Sequence, residues 1–173
     1  MADAAIAALH LAASPLLRPR AGAGLTLPAR DALLLAWLAI EGPTPRARMA
    51  QLLWPESAPQ AARNALRQRL FQLKKVAGID LVAGQETLAL ADGVRHDLED
   101  SDDVLAGLEP EPDTELADWL ARQRQRRRER LRQSLAELAT MAERSQDWAD
   151  ALGHARELLA LDPLAEDAHR RLM

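Results

Sequence analysis

The sequence predicts a mainly α-helical chain with short β-strands, arranged as two modules joined by an acidic linker. Three observations carry this. Apolar residues recur at helical spacing over most of the 173 residues, in a chain rich in Ala, Leu and Arg with 48% hydrophobic and only 3% aromatic residues. That period gives way to alternation near the N-terminus and again after Gly78, as short strands require. Charge is uneven: Met1 to His96 has eleven Lys and Arg against seven Asp and Glu, net +4, whereas the remainder has eleven against nineteen, net -8, within an overall charge of -4.

The first elements follow in order. Ile6 to Leu27 holds alternating Leu9 and Leu11, then Pro15 and Pro19, a GAG turn at Gly22 to Gly24, and alternating Leu25 and Leu27. Short strands joined by turns are expected, with an Ala-rich helix from Ala4 to Ala13 as the alternative. Ala29 to Glu41 is a helix with Leu34, Trp37 and Leu38 inward, Leu33 and Ile40 beside them, and Gly42-Pro43 as its stop. A short helix follows, with Thr44 as N-cap, Pro45 at its first position and Met49, Leu52 and Leu53 buried; Trp54-Pro55 ends it.

Next comes a longer helix, Ala58 to Ala77. Ser57 is placed to accept from its first-turn N–H groups, and Gly78 supplies a left-handed stop. Ala62, Leu66, Leu70, Leu73 and Ala77 share one face. Gln60, Asn64, Arg67, Gln68, Phe71, Lys74 and Lys75 lie on or beside the other, which is cationic, rich in amides and free of acid. Ile79, Leu81, Thr87, Leu88 and Leu90 then form a hairpin around Gly84, with Asp92-Gly93 as a further turn before Val94. Helix, short helix, long basic helix and hairpin, in this order, are what a winged helix-turn-helix domain requires, here residues 1–97.

Asp97 to Asp118 carries ten acids and no Lys or Arg. Its run Glu99 to Asp103 lacks the alternating ligands, central Gly and closing Glu of a calcium loop, so residues 98–113 are expected to be an acidic linker. From Thr114 the chain is helical. Asp113 or Thr114 caps a long helix whose apolar positions are Trp119, Leu120, Leu131, Leu135, Leu138 and Met141. Between them, Arg122 to Arg132 sets seven Arg against one Glu, expected to be a solvated connector paired with the acidic linker, with a second DNA contact or a nuclear-type signal as the alternatives. Leu135, Leu138, Ala139 and Ala142, then Ala151, Ala155, Leu158 and Pro163, fit a tetratricopeptide-like repeat of roughly 34 residues, strengthened by Trp148. A further helix is expected near Ala165. One repeat buries its faces poorly, so residues 114–173 are expected to be an incomplete helical domain, truncated from a longer chain or completed by a partner.

The helix at Ala58 to Ala77 has an ordinary explanation, a solvated face built from good helix formers. Its place between a short helix and a hairpin, on the basic side of the chain, favours a recognition helix for double-stranded DNA. Leu34 to Lys75, LLAWLAIEGPTPRARMAQLLWPESAPQAARNALRQRLFQLKK, resembles the DNA-binding segment of the antibiotic regulatory protein (SARP) family of bacterial activators, most tellingly at Leu52 to Pro55 and Ala62 to Lys75. Asp113 to Met173, with WLARQRQRRRERL and DWADALGHARELLALDPLAEDAHRRLM, resembles the start of the bacterial transcriptional activator domain that follows it in that family. The resemblance implies a winged helix like the output domain of response regulators, joined to helical repeats. It further implies activation of transcription by binding direct repeats near a promoter, as a homodimer or as tandem copies, and by contacting RNA polymerase.

For base edges the expected contacts are Asn64, Arg67, Gln68 and Phe71: Arg grips guanine through two bonds, Asn or Gln grips adenine, and an exposed Phe packs on a thymine methyl. A Phe71 ring folded over the wing is the equal alternative. Arg46, Arg48, Arg63, Lys74 and Lys75 are expected on phosphates, and Arg69 bordering the apolar face. The competing class is a protein-interaction module with a vestigial winged helix. No enzyme, metal or cofactor is expected. There is no Cys for thiolate chemistry or zinc, no phosphate-binding GxxxxGK[ST] loop, and His10, His96, His154 and His169 are scattered. The longest apolar run, Ala32 to Ile40, is too short to span a bilayer. The N-terminus lacks a secretory signal, so a cytoplasmic protein without a membrane partner is expected.

Overall fold

A computed structural model describes residues 6–20, 23–99, 101–163 and 169. About 54% of it is helical, in five helices with two small sheets, and the chain divides into two compact units, Met1–Gln123 and Arg124–Met173.

The N-terminal alternation is strand. β1 (Ala7–His10), β2 (Leu16–Pro19) and β3 (Leu25–Thr26) form an antiparallel ribbon, with Leu9 opposite Leu17. β7 (Val94–His96) joins the free edge of β1 in parallel, giving the order β3-β2-β1-β7. Ala7, Leu9, Leu11 and Leu17 are buried on one side, the period-two pattern of a half-buried sheet. This excludes the Ala-rich helix over Ala7–His10. Gly22 of the expected GAG turn lies outside the described residues.

Helix α1 (Ala29–Glu41) has the expected bounds and is the central rod of the first unit. Ala32, Leu33, Leu34, Leu35, Ala36 and Leu38 are all buried, while Trp37 and Ile40 stand at the rim. The inward face is therefore wider than periodicity implied. Its seven buried positions include Asp31.

The expected cap at Thr44 is corrected. Thr44 and Pro45 form a short strand, β4 (Thr44–Pro45), and helix α2 (Arg46–Leu53) begins after it, with no side-chain cap bond. The Thr44 hydroxyl is already engaged, accepting from Trp37 Nε1 at 3.0 Å and donating to the Gly42 carbonyl at 3.1 Å. Ser57 is likewise not the cap of helix α3 (Pro59–Ala77). Pro59 takes the first helical position and makes Ala58 the N-cap. Gly78 ends α3 in the left-handed conformation, with φ 71°, as expected.

The hairpin is β5 (Val82–Ala83) and β6 (Thr87–Leu90), and β4 adds to the other edge of β6, giving the order β4-β6-β5. Gly84 makes the turn: at φ 98°, a Cβ there would lie 1.8 Å from the Thr87 carbonyl oxygen, so no other residue fits.

The stretch expected as a linker packs on the first unit. Leu98, Val104 and Leu105 are buried in its core. Leu105 and Ala106 donate their N–H groups to the Leu11 and Ala12 carbonyls at 2.6 and 3.0 Å. Asp97 Oδ1 accepts from the Leu11 and Ala12 N–H groups. Helix α4 (Glu115–Arg144) starts where expected, and the Thr114 hydroxyl accepts from the Ala117 N–H at 3.2 Å. Its first turns also belong to this core through Leu116, Trp119 and Leu120. Trp119 tilts against Trp37 at 5.0 Å between centroids and donates Nε1–H to Glu41 at 2.7 Å.

In the second unit, the later turns of α4 and helix α5 (Trp148–Leu161) bury Leu135, Ala139, Ala142, Ala151, Ala155 and Leu158. Asp147 caps α5 through the Asp150 N–H. Leu138 and Met141, expected as apolar positions, and Trp148, expected to strengthen the repeat, are exposed. The helix expected near Ala165 falls outside the described residues.

Candidate nucleic-acid interface

The candidate surface is built on α3. Packing Ala62, Leu66, Leu73 and Ala77 inward turns Arg63, Asn64, Arg67, Gln68, Phe71, Lys74 and Lys75 to solvent. None of its 19 residues is acidic. Phe71 is 64% exposed, so its ring is not folded over the hairpin.

Four of the expected residues come together. Arg46, Arg63, Asn64 and Arg67 line one open groove of about 570 Å³, with Gln60 at its head and the hairpin turn, Gln85 and Glu86, as its far wall. The wall is tied to the start of α2. The Arg46 N–H donates to the Glu86 carbonyl at 2.7 Å, and Arg46 Nη1 donates to the Gln85 carbonyl at 3.3 Å. Within the groove, Arg67 Nη2 donates to Asn64 Oδ1 at 3.3 Å, which orients both side chains. Gln68, Phe71, Lys74 and Lys75 lie outside the groove.

Two expected phosphate contacts already have carboxylate partners. Arg48 is paired with Glu115 at the start of α4, and Lys74 Nζ lies 2.7 Å from Asp80. Both pairs are largely exposed, so each is weak and exchangeable.

Arg69 does more than border the apolar face. It grips Asp31 of α1 through Nε and through Nη2, the latter at 2.9 Å. Asp31 is 5% exposed. Burial pushes its carboxyl above the ordinary carboxylate value, and the Arg69 hydrogen bonds and charge pull back against that. The pair fixes the rotation of α3 about its own axis.

Periodicity missed Asp31, Gln85 and Glu86 as contributors. In the sequence, Asp31 only bounds the apolar run Ala32 to Ile40. The turn residues carried only the Gly84 signal, which marks a bend without showing what it faces.

The acidic stretch changes the electrostatics of the whole unit. Adding its ten acids and Arg122 to the first 96 residues gives Met1–Gln123 twelve Lys and Arg against seventeen Asp and Glu, net -5. The cationic surface is thus a local patch on an acidic body.

Among the described residues, no group of three His, Asp or Glu side chains is arranged to hold a metal ion, and no helix is long and apolar enough to cross a membrane. His10 lies 3.5 Å from Asp97, whose other oxygen is held by backbone N–H groups. Comparison with protein-family models, curated proteins and solved structures finds no match to this chain.

Proposed function

We propose that the chain is a sequence-specific DNA-binding regulator of transcription, an activator, whose first unit is a winged helix with α3 in the major groove and the β5-β6 hairpin as its wing. The α4-α5 hairpin then serves as a tetratricopeptide-like module for regulation or for contact with a protein such as RNA polymerase. One observation carries this reading: the outer face of α3 is acid-free and exposed, and it shares a groove lined by three arginines with the hairpin turn. Phosphates supply most of the affinity of such a face, and base edges supply its selectivity.

Asn64 and Arg67, already bonded to each other, are assigned to base edges with Gln68 and Phe71. Arg46, Arg63 and Lys75 take phosphates. Arg48 and Lys74 join them only by leaving Glu115 and Asp80. The net acidity of the unit favours the second reading, an interaction module that no longer binds DNA.

A binding titration of the full chain against duplexes selected from a random library, at two salt concentrations, separates the two. Arg67→Ala is expected to weaken selected duplexes by about 1–3 kcal/mol and to relax one base preference. Lys75→Ala should lower affinity on all duplexes evenly and flatten the salt slope by about one unit. Absence of any salt-sensitive binding by the wild type would favour the interaction module. Equal losses on selected and random duplex for both variants would overturn the division of roles.

A further inference from the structure

The groove holds a group that a phosphate-binding surface does not need. Glu86 is the one acidic residue among three arginines and three carboxamide residues, Arg46, Arg63, Arg67, Gln60, Asn64 and Gln85, that line the groove. Its position is imposed by the backbone. Gly84 sets the turn, Pro45 pairs with Thr87 and Thr44 with Leu88, and the Glu86 carbonyl is held by the Arg46 N–H. The turn therefore cannot drift away as a loose loop when a polyanion approaches, and Glu86 stays at the groove.

From these placements we infer that Glu86 is a specificity-determining residue, one that opposes every phosphate backbone entering the groove and is repaid only by a major-groove hydrogen-bond donor, the amino group of a cytosine. The inference rests on the DNA-binding reading of α3 and goes beyond it. It moves part of the base discrimination from the helix to the wing turn. In a groove lined by three arginines, a carboxylate lowers the local positive potential, which weakens binding to any sequence alike. An ionised carboxylate only accepts hydrogen bonds. In the major groove the donors are the amino groups of cytosine and adenine, and the latter sits beside an acceptor that a carboxamide satisfies better. Asn64 and Gln60 in the same groove provide that carboxamide, which leaves cytosine for Glu86.

Two variants of the full chain test this, using duplexes selected by the wild type and scrambled duplexes of the same length. Glu86→Gln removes the charge but keeps the shape. It should bind scrambled duplex about two- to fivefold more tightly, with the preference for a C·G pair at one selected position reduced about tenfold. Glu86→Asp keeps the charge and shortens the reach. It should leave scrambled binding unchanged and lose the same preference. If Glu86→Gln strengthens selected and scrambled duplexes equally, Glu86 is only a charge opposing phosphate and the inference fails. It fails also if neither variant alters the base preference. Failure of the underlying reading looks different, because then the wild type itself selects no duplex.

Discussion

The Asp31–Arg69 pair is where a single residue most affects what the chain presents. Asp31 sits almost out of solvent at the start of α1, while Arg69 is about one-third exposed on α3. Removing one partner of such a pair is costly because the other is left buried and uncompensated, whereas replacing both with apolar groups is often tolerated. Arg69→Met alone is expected to cost about 3 kcal/mol in urea unfolding, and Asp31→Leu with Arg69→Met to recover most of it. Simple additivity of the two single changes would show that the pair does not act as a unit. A pH dependence follows from the same carboxyl. Its folded value is raised above the ordinary 3.8, so between the two values the folded state holds more proton than the unfolded state. Its contribution to stability is therefore greatest in acid and is lost as pH rises through the folded value. Stability measured against Asp31→Asn, which does not titrate there, should move against the wild type as pH climbs from about 3 toward neutral. A slope of the opposite sign would mean that the Arg69 charge outweighs burial.

At the scale of elements, the hairpin turn is the most exacting. Gly42 and Gly84 both have positive φ, but a Cβ at Gly42 meets nothing within 4 Å, whereas at Gly84 it meets the Thr87 carbonyl. Gly42→Ala should cost about 1–3 kcal/mol, because φ 77° with ψ −156° is a backbone region that only glycine adopts freely. Gly84→Ala should cost more, because the clash with the Thr87 carbonyl adds to the backbone strain, and it should open the turn. Hydrogen exchange would register this as lost protection at Ala91, whose N–H donates to the Leu81 carbonyl at 3.0 Å, with the amides of α3 unaffected. Loss of protection along α3 as well would mean that hairpin and helix unfold together. What was legible in the sequence follows the same division between local and distant causes. Helices α1 and α3 end at Gly42 and Gly78 because glycine stops act within one turn, and the inner face of α3 follows from its spacing. The caps at Thr44 and Ser57 misled for lack of information held elsewhere. Thr44 pairs with Leu88 and bonds Trp37, and Pro59 itself set the start of α3. The candidate site divides likewise: the outward side chains of α3 were readable from period alone. Their grouping with Gln85 and Glu86 depends on where a hairpin folds back, which no local signal records.

For the whole molecule, the acidic stretch decides what counts as the unit proposed to bind DNA. Composition separated a basic segment ending near Asp97 from an acidic one after it. The core does not respect that division, because Leu98, Val104, Leu105, Leu116, Trp119 and Leu120 are buried in it beside Leu11, Leu34 and Leu38. Burial of an apolar side chain is worth about 1.5–3 kcal/mol. Six of them together amount to roughly 10 kcal/mol or more, comparable with the whole net stability of a domain, about 5–15 kcal/mol. A fragment of residues 1–97 is thus expected to show no cooperative unfolding transition, whereas residues 1–123 should unfold cooperatively. The comparison has a consequence for binding. The shorter fragment sheds nine of the ten acids, keeping Asp97, and carries the higher positive charge, so electrostatics alone would make it the better ligand for DNA. If folding governs, it should bind without base preference, and the longer, more acidic fragment should keep whatever preference the full chain has. A cooperative transition and an intact base preference in residues 1–97 would return the acidic stretch to the status of a linker. Otherwise the acids lie within the binding unit, and their pairs with Arg30 and Arg48 leave the groove beside α3 as the part of the surface where cationic side chains gather.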